Sequence, residues 1–498
     1  MSEPESMAQE PASGQHSLRT DIFRLGRKSA AYTIGFLATR AISFLLLPLY
    51  TNALTPADYG VLTLAFTFAA FSLIVFHFGI DSSLLRYYTG AERPRQTEVF
   101  TTVYLTQLVV AVLLAGVLLL AREPLANLLL GVQRPDWMAL LIGIIFFDAL
   151  WAHPMHVRRA EGRAKTFATL SLMNAILLMT GNIVLVAGYG LGITGALISN
   201  LIASFFLLLI NLPTIWRNLS YRRFSSVTLK ALLRFGLPFL PAGLFTMIME
   251  LSDRYFLRWM TDMETVGLYS AGYKLGLFVL LLIGGFNLGW QPFFLERGKS
   301  PHAPQVFARI ATYLLAALAW VVLTLSAWVD DLVRLPLGSI TIFGPQYWSA
   351  TNIVPLILLG YFFFAAYVLQ LPGVQLTSKT RWVMVFRGSG AAAKLALNLL
   401  LIPIWGAMGA ATATCLAFAV MTTVTFVISR RLYPVPYEWG RLMRVIVILA
   451  TGFTALYLFP AGPLRNSLLT IWMPLGFILS GGITSGEWRQ LRRLAGRS

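Results

Sequence analysis

Apolar residues in this chain run in blocks of about 20, separated by short polar stretches, from near residue 30 to near residue 484. A helix rising 1.5 Å per residue needs roughly that many to cross about 30 Å of hydrocarbon, so each block predicts a membrane-spanning helix. Fourteen segments are expected, near 30–50, 61–80, 99–121, 137–154, 167–188, 193–216, 235–257, 267–290, 310–329, 351–373, 386–403, 407–428, 444–461 and 467–484. The expected fold class is an all-α polytopic membrane protein. Composition agrees: 57% of the 498 residues are hydrophobic and only 12% charged, about half the charged share of a soluble protein. The first 18 residues are rich in Ser, Pro, Glu and Gln and precede a basic patch at Arg24, Arg27 and Lys28. They predict a disordered cytoplasmic tail and no cleavable signal peptide. One cysteine, Cys415, excludes an intrachain disulfide framework.

The net charge of +18 would suggest nucleic acid, but its placement argues otherwise. With both termini in the cytoplasm, about 30 of the 39 Lys and Arg residues fall in inner loops and tails. Outer loops hold only Arg122, Arg134, Arg258, Arg334 and Arg465. Basic charge therefore sets topology by the positive-inside rule, and no nucleic-acid partner is expected. The outer loops are short, which disfavours a lipid-sugar transferase or ligase needing an exterior catalytic domain.

Two stretches of the first half recur roughly 210 residues later. Tyr50 through Leu62, with Thr55-Pro-Ala-Asp-Tyr-Gly60, matches Tyr255 through Tyr269, with Val266-Gly267. Asn182 followed by Gly192 and Gly195 matches Asn398 followed by Gly406 and Gly409. Glycine turns also recur by chance in polytopic proteins. Read as a duplication, six helices separate each pair, so the halves are parallel repeats about an axis along the membrane normal, with a cavity between them. The expected organisation is a tail (1–29), a six-helix lobe (30–216), a basic linker (217–234), a second pseudo-symmetric six-helix lobe (235–429), an appended helix pair (444–484) and a basic tail (485–498).

Four bases, Arg40, Arg254, Lys274 and Lys394, lie inside these spans. A charge at bilayer depth costs roughly 2.5–3.5 kcal/mol on insertion scales and ordinarily faces a bundle interior or watery cavity. A positive surplus there points to an anionic cargo. Arg40, roughly 15 Å deep, offers a bidentate fork to phosphate; its alternative is a pair with Asp81 or Asp148. Glu250, Asp253, Arg254 and Arg258 share one helix face. On that face Arg254 could grip anion while either acid takes a coupling ion, or Arg254 could pair with Glu250 or snorkel. Lys394 shares a face with Asn398 and faces an interior or reaches the inner headgroups. His77 is read as a packed residue before a proton relay. Gly284-Gly285, Pro48, Pro238 and Pro241 are hinges or ordinary helix-end chemistry. There is no G-x-x-x-x-G-K-S/T loop for ATP, and the His, Asp and Glu residues show neither metal-ligand nor nucleophile spacing along the chain. No cofactor, metal or enzymatic activity is expected.

From Gly35-Phe-Leu-Ala-Thr-Arg40 through Leu47-Pro-Leu-Tyr50 to Gly60, and from Leu237-Pro-Phe-Leu-Pro241 through Ser252-Asp-Arg-Tyr255 to Lys274, the sequence resembles the multidrug/oligosaccharidyl-lipid/polysaccharide exporter superfamily. Within it the likeness is to bacterial O-antigen and capsule repeat-unit flippases, over roughly residues 24–484. The resemblance implies two six-helix lobes around a cavity, plus two helices forming a groove for a lipid tail. It implies flipping of an undecaprenyl-pyrophosphate-linked oligosaccharide across the bacterial inner membrane, driven by an ion gradient, for lipopolysaccharide or capsule synthesis. Membrane lipids, a polysaccharide polymerase and chain-length proteins are the implied partners. The alternatives are a peptidoglycan lipid-precursor flippase, a multidrug antiporter, or a membrane glycosyltransferase or polymerase.

Overall fold

The computed structural model describes residues 44–379 and 381–482. Its helices run α1 Phe44–Ala53, α2 Pro56–His77, α3 Ile80–Tyr88, α4 Arg93–Leu120, α5 Arg122–Leu125, α6 Pro135–Ala160, α7 Ala164–Asn182 and α8 Gly192–Asn218. They continue as α9 Ser226–Gly236, α10 Phe239–Met260, α11 Met263–Arg297 and α12 Ala303–Arg334. A small hairpin, β1 Pro336–Leu337 with β2 Ile340–Thr341, and a 3-10 stretch, Pro345–Ile353, lead into α13 Val354–Gln370 and α14 Pro372–Gln375. Last come α15 Arg381–Leu432, α16 Trp439–Leu458 and α17 Pro463–Leu479.

Among the described residues ten helices are long and apolar enough to cross a membrane, or eleven if α9 and α10, bent by 40°, count as one span. The fourteen predicted segments map onto fewer such helices for local reasons. Helix α15, 52 residues long, is two helices joined at Gly406 and carries two predicted segments. Helix α1 is described only from Phe44, and α17 has 17 residues.

The chemistry of the helix ends explains where the spans start and break. The Thr55 hydroxyl oxygen accepts a hydrogen bond from the Asp58 N–H at 3.1 Å, and Pro56 opens α2 with φ already suited to a helix. Asp262 caps α11 in the same way, accepting from the Thr265 N–H at 2.8 Å. The two caps belong to the first repeated motif, and each is followed by its glycine in the second turn. The second motif matches as well. Gly192 (φ 56) and Gly406 (φ 52) both turn the chain through left-handed backbone, where a Cβ is strained.

Equivalent glycines of the two copies meet each other. A Cβ on Gly60 would lie 2.2 Å from the Met263 carbonyl oxygen and 3.2 Å from the Gly267 nitrogen. One on Gly267 would lie 1.8 Å from the Pro56 carbonyl oxygen. Helices α2 and α11 therefore touch backbone to backbone across the lobe interface, a closeness that small residues permit. More bonds join the lobes at this end. Asn52 donates to the Thr341 carbonyl at 2.8 Å, and Gln346 and Tyr347 donate to the Leu54 carbonyl at 2.9 and 3.1 Å.

At the opposite end the lobes meet through the α9–α10 bend. Gly79, in the break between α2 and α3, packs on Gly236; a Cβ there would be 2.1 Å from the Gly236 carbonyl oxygen. Ser83 donates to the Leu232 carbonyl at 2.7 Å. So α9, inside the stretch expected to be only a linker, is an amphipathic helix docked on the first lobe. Helices α16 and α17 pack on α12, where Trp320 and Trp328 donate to the carbonyl and hydroxyl of Thr470, each at 2.9 Å.

Candidate functional site

Helix α10 carries Asp253 into the middle of the second lobe, where it is fully buried. Burying a lone carboxylate costs several kcal/mol, so the fold must supply partners. The Lys394 ammonium, also fully buried, lies 2.8 Å from Asp253 Oδ2. The Tyr269 hydroxyl donates to the same oxygen, and Lys394 also donates to the Thr414 hydroxyl. Arg254 sits 3.4 Å from the other carboxylate oxygen and donates to the Glu250 carbonyl at 2.9 Å. Its guanidinium also stands 4.9 Å from the centre of the Tyr273 ring, and Tyr361 donates to the Tyr273 hydroxyl at 3.1 Å. Groups from three helices, α10, α11 and α15, thus converge on one carboxylate. Lys394 neither faces a cavity nor reaches headgroups in this arrangement, because its charge is spent on Asp253.

Lys274 is placed differently. It projects from α11 of the second lobe onto first-lobe rings, 5.3 Å from the centre of Tyr59 and 5.9 Å from that of Tyr50. It is half-buried and makes no ion pair among the described residues. The platform beneath it is fixed: Tyr50 donates to Asn182 Oδ1 at 2.6 Å, and Tyr59 meets Tyr347 edge-on at 6.0 Å. Tyr50→Phe leaves that buried amide oxygen short of a partner, costing about 1–3 kcal/mol. The purified variant is expected to melt several degrees below the wild type; an unchanged melt would show the bond to be immaterial.

Arg258 closes the Gly60 end of the same face. Its guanidinium lies against Gly131 of the first lobe, where an added Cβ would meet Nη2 at 2.1 Å. Its Nε finds no hydrogen-bond partner among the described residues. Arg40 lies outside the described residues. Lys274 and Arg258 thus make no ion pair with a described carboxylate, whereas Arg254 and Lys394 converge on Asp253.

The sequence signature of the polysaccharide biosynthesis protein family matches residues 25–296. The chain belongs to that family. It is similar to "Lsg locus putative protein 1" of Haemophilus influenzae, with 25% identity over 359 residues, covering 68% of this chain and 84% of that protein. Its fold is that of "Lipid II flippase MurJ, inward closed conformation", with a TM-score of 0.74, 14% identity, and 92% of this chain and 99% of that one covered. A multidrug resistance MATE transporter of the MOP superfamily, in an inward-facing conformation, superposes with a TM-score of 0.61 at 14% identity, covering 84% of this chain and 96% of that one. The superfamily fold that the sequence motifs implied is the fold observed.

Three further residues of this family member complete the picture. Asn398 is fully buried, and neither side-chain atom has a partner among the described residues, unlike its repeat equivalent Asn182. Asp148 accepts from the Trp151 indole at 2.8 Å. Asp81 is faced by three imidazoles, His77, His153 and His156. Along the chain these residues show no familiar ligand spacing; folding brings α6 against the α2–α3 break and assembles them. The available signal was local: His77 and Asp81 are four apart, and His153 and His156 three apart, both same-face helical spacings.

Proposed function

We propose that this protein flips a lipid-linked oligosaccharide carrying an undecaprenyl-pyrophosphate anchor across the bacterial inner membrane, with both termini in the cytoplasm. The observation that carries the reading is Lys274: a cation at the lobe interface, backed by aromatic rings and with no carboxylate partner among the described residues. A phosphate is the natural complement to such a charge, and the lipid tail can remain in the bilayer while the headgroup crosses. Membership of the polysaccharide biosynthesis family supports the sugar-bearing cargo. We assign the protein a transport rather than a catalytic role, serving O-antigen or capsule assembly beside a polymerase and chain-length proteins.

The coupling ion acts at Asp253, with Glu250 one turn earlier. A proton taken up by Asp253 would release Lys394 and Arg254 from their shared partner and add positive charge where an anion is to be held. One charge moved across 100 mV is worth about 2.3 kcal/mol, nearly a fiftyfold bias between two conformations. Organic cations, the cargo of a multidrug antiporter, would meet repulsion at Lys274.

Lys274→Ala removes one charged hydrogen bond to phosphate, about 1.5–3 kcal/mol. Surface polysaccharide in a strain relying on the variant is expected to fall roughly tenfold to a hundredfold, with protein levels in the membrane unchanged. Lys274→Arg should retain most of it. Normal polysaccharide in Lys274→Ala would overturn the assignment. The peptidoglycan lipid precursor has the same anionic handle; the lipid-linked intermediate that accumulates when the gene is deleted separates the two cargoes.

A further inference from the structure

We propose that His77, Asp81 and His153 form a divalent transition-metal site in the first lobe. His77 Nδ1 lies 3.2 Å from Asp81 Oδ2, His153 Nδ1 lies 3.5 Å from Asp81 Oδ1, and His156 Nε2 lies 3.6 Å from that same oxygen. One donor atom from each of His77, Asp81 and His153 falls within 4.8 Å of the others. A tetrahedral metal with bonds of 2.0–2.1 Å sets its ligand atoms roughly 3.3 Å apart. Separations of 3.5 and 3.6 Å are long for hydrogen bonds but suit atoms that share an ion. Imidazole nitrogens with one carboxylate favour zinc, cobalt or nickel over magnesium or calcium.

The second observation is unmet polarity. His153 is fully buried, and neither of its ring nitrogens has a hydrogen-bond partner among the described residues. Asp81 Oδ1, His77 Nε2 and His156 Nδ1 lack one in the same way. Buried polar atoms are nearly always satisfied, so several orphans in one cluster ask for a shared partner. A dicationic metal supplies it for Asp81 Oδ1 and His153 Nδ1, the two unpartnered atoms that face each other. The side chains of His77, Asp81 and His156 are 19, 24 and 26% exposed, which leaves an ion a way in.

The site sits at a mechanically sensitive place. His77 ends α2, Asp81 lies in the first turn of α3, and between them Phe78 (φ 36) and Gly79 (φ 78) turn the chain through left-handed backbone. Gly79 is the residue that packs on Gly236 at the α9–α10 bend. A metal joining His77 and Asp81 to His153 would staple the α2–α3 break to α6, stiffening the surface on which the second lobe rests. Occupancy would then bias how readily the lobes part at this end.

The test uses the full chain, purified in detergent on a tag free of histidine, stripped with chelator and titrated with Co²⁺ alone and with Zn²⁺ alone. The expected result is one ion per chain, visible d–d absorption for Co²⁺, and displacement of Co²⁺ by Zn²⁺. His153→Ala and Asp81→Asn should each weaken binding at least tenfold, while His302→Ala, remote from the cluster, should not. The wild-type Co²⁺ spectrum keeps the proposal testable should the buried His153 variant fail to fold. Wild-type protein that binds neither ion, or unchanged binding in both variants, overturns it. A transport pH profile that shifts in His153→Ala without any metal binding also overturns it, in favour of a proton relay. The metal-binding readouts do not depend on the identity of the transported cargo.

Discussion

Asp253→Leu is expected to lower the stability of the protein by about 3–5 kcal/mol, because it strands the buried Lys394 ammonium in the second lobe. Lys394→Leu should cost a similar amount by leaving Asp253 with Arg254 and the hydroxyls of Tyr269 and Thr414 alone. The double variant is the informative one. Replacing both partners of a buried pair by apolar residues is often neutral or stabilising, so most of the lost stability should return. Thermal unfolding of the three purified variants gives the coupling directly, as these residues are in contact. If transport stays abolished in the re-stabilised double variant, the pair has a role in moving cargo or coupling ion. If transport returns with stability, Asp253 and Lys394 hold the lobe together and nothing more. An unchanged melt in Asp253→Leu would contradict the ion pair itself.

Gly267→Val should block closure of the lobes at the Gly60 end. An added Cβ would stand 1.8 Å from the Pro56 carbonyl oxygen and 2.7 Å from its carbon. Backbone on both sides cannot yield as a side-chain tip would, so α2 and α11 must move apart. Overpacking of this kind costs about 1–3 kcal/mol or more, and each 1.4 kcal/mol is roughly tenfold in the balance between two conformations. A cysteine pair at Asn52 and Thr341, which are hydrogen-bonded across the interface at 2.8 Å, reports closure by disulfide formation. The native Cys415 is buried and adds little background. Cross-linking and surface polysaccharide should both drop at least tenfold in Gly267→Val. Undiminished cross-linking would show that the contact is not required for closure.

What the sequence made legible was whatever is encoded locally. The caps at Thr55 and Asp262, the glycines that follow them, and the turns at Gly192 and Gly406 are short-range signals, and the structure gives each repeated motif the same geometry in both lobes. Helix count was harder. The break at Gly406 in α15 was legible, since the expected segments divide there, but the bend before α10 is a detail of backbone angle that hydropathy does not register. The ionic site was half legible. That Lys394 and Asn398 share a buried face followed from their spacing. That Asp253 would be the partner of Lys394 did not, since 141 positions separate them and Glu250 offered a nearer, same-helix acid to Arg254. The His77–Asp81–His153 cluster was half legible in the same way: the His77–Asp81 spacing is local, but α6 brings His153 to it only in three dimensions.

The two repeated motifs, each at its own offset, also align parts of the two lobes, and there the copies part company. At the places corresponding to Asp253 and Lys394 the first lobe has Leu46 and Leu178, both packed in its apolar core. The first copy thus carries leucine at both of the positions where the double variant would install it. The same helix arrangement thus carries an ionic centre in one lobe and leucines in the other. The two halves differ accordingly: the first lobe has leucines at these two places and gathers histidines beside the α2–α3 break, while the second maintains an ion pair at its centre.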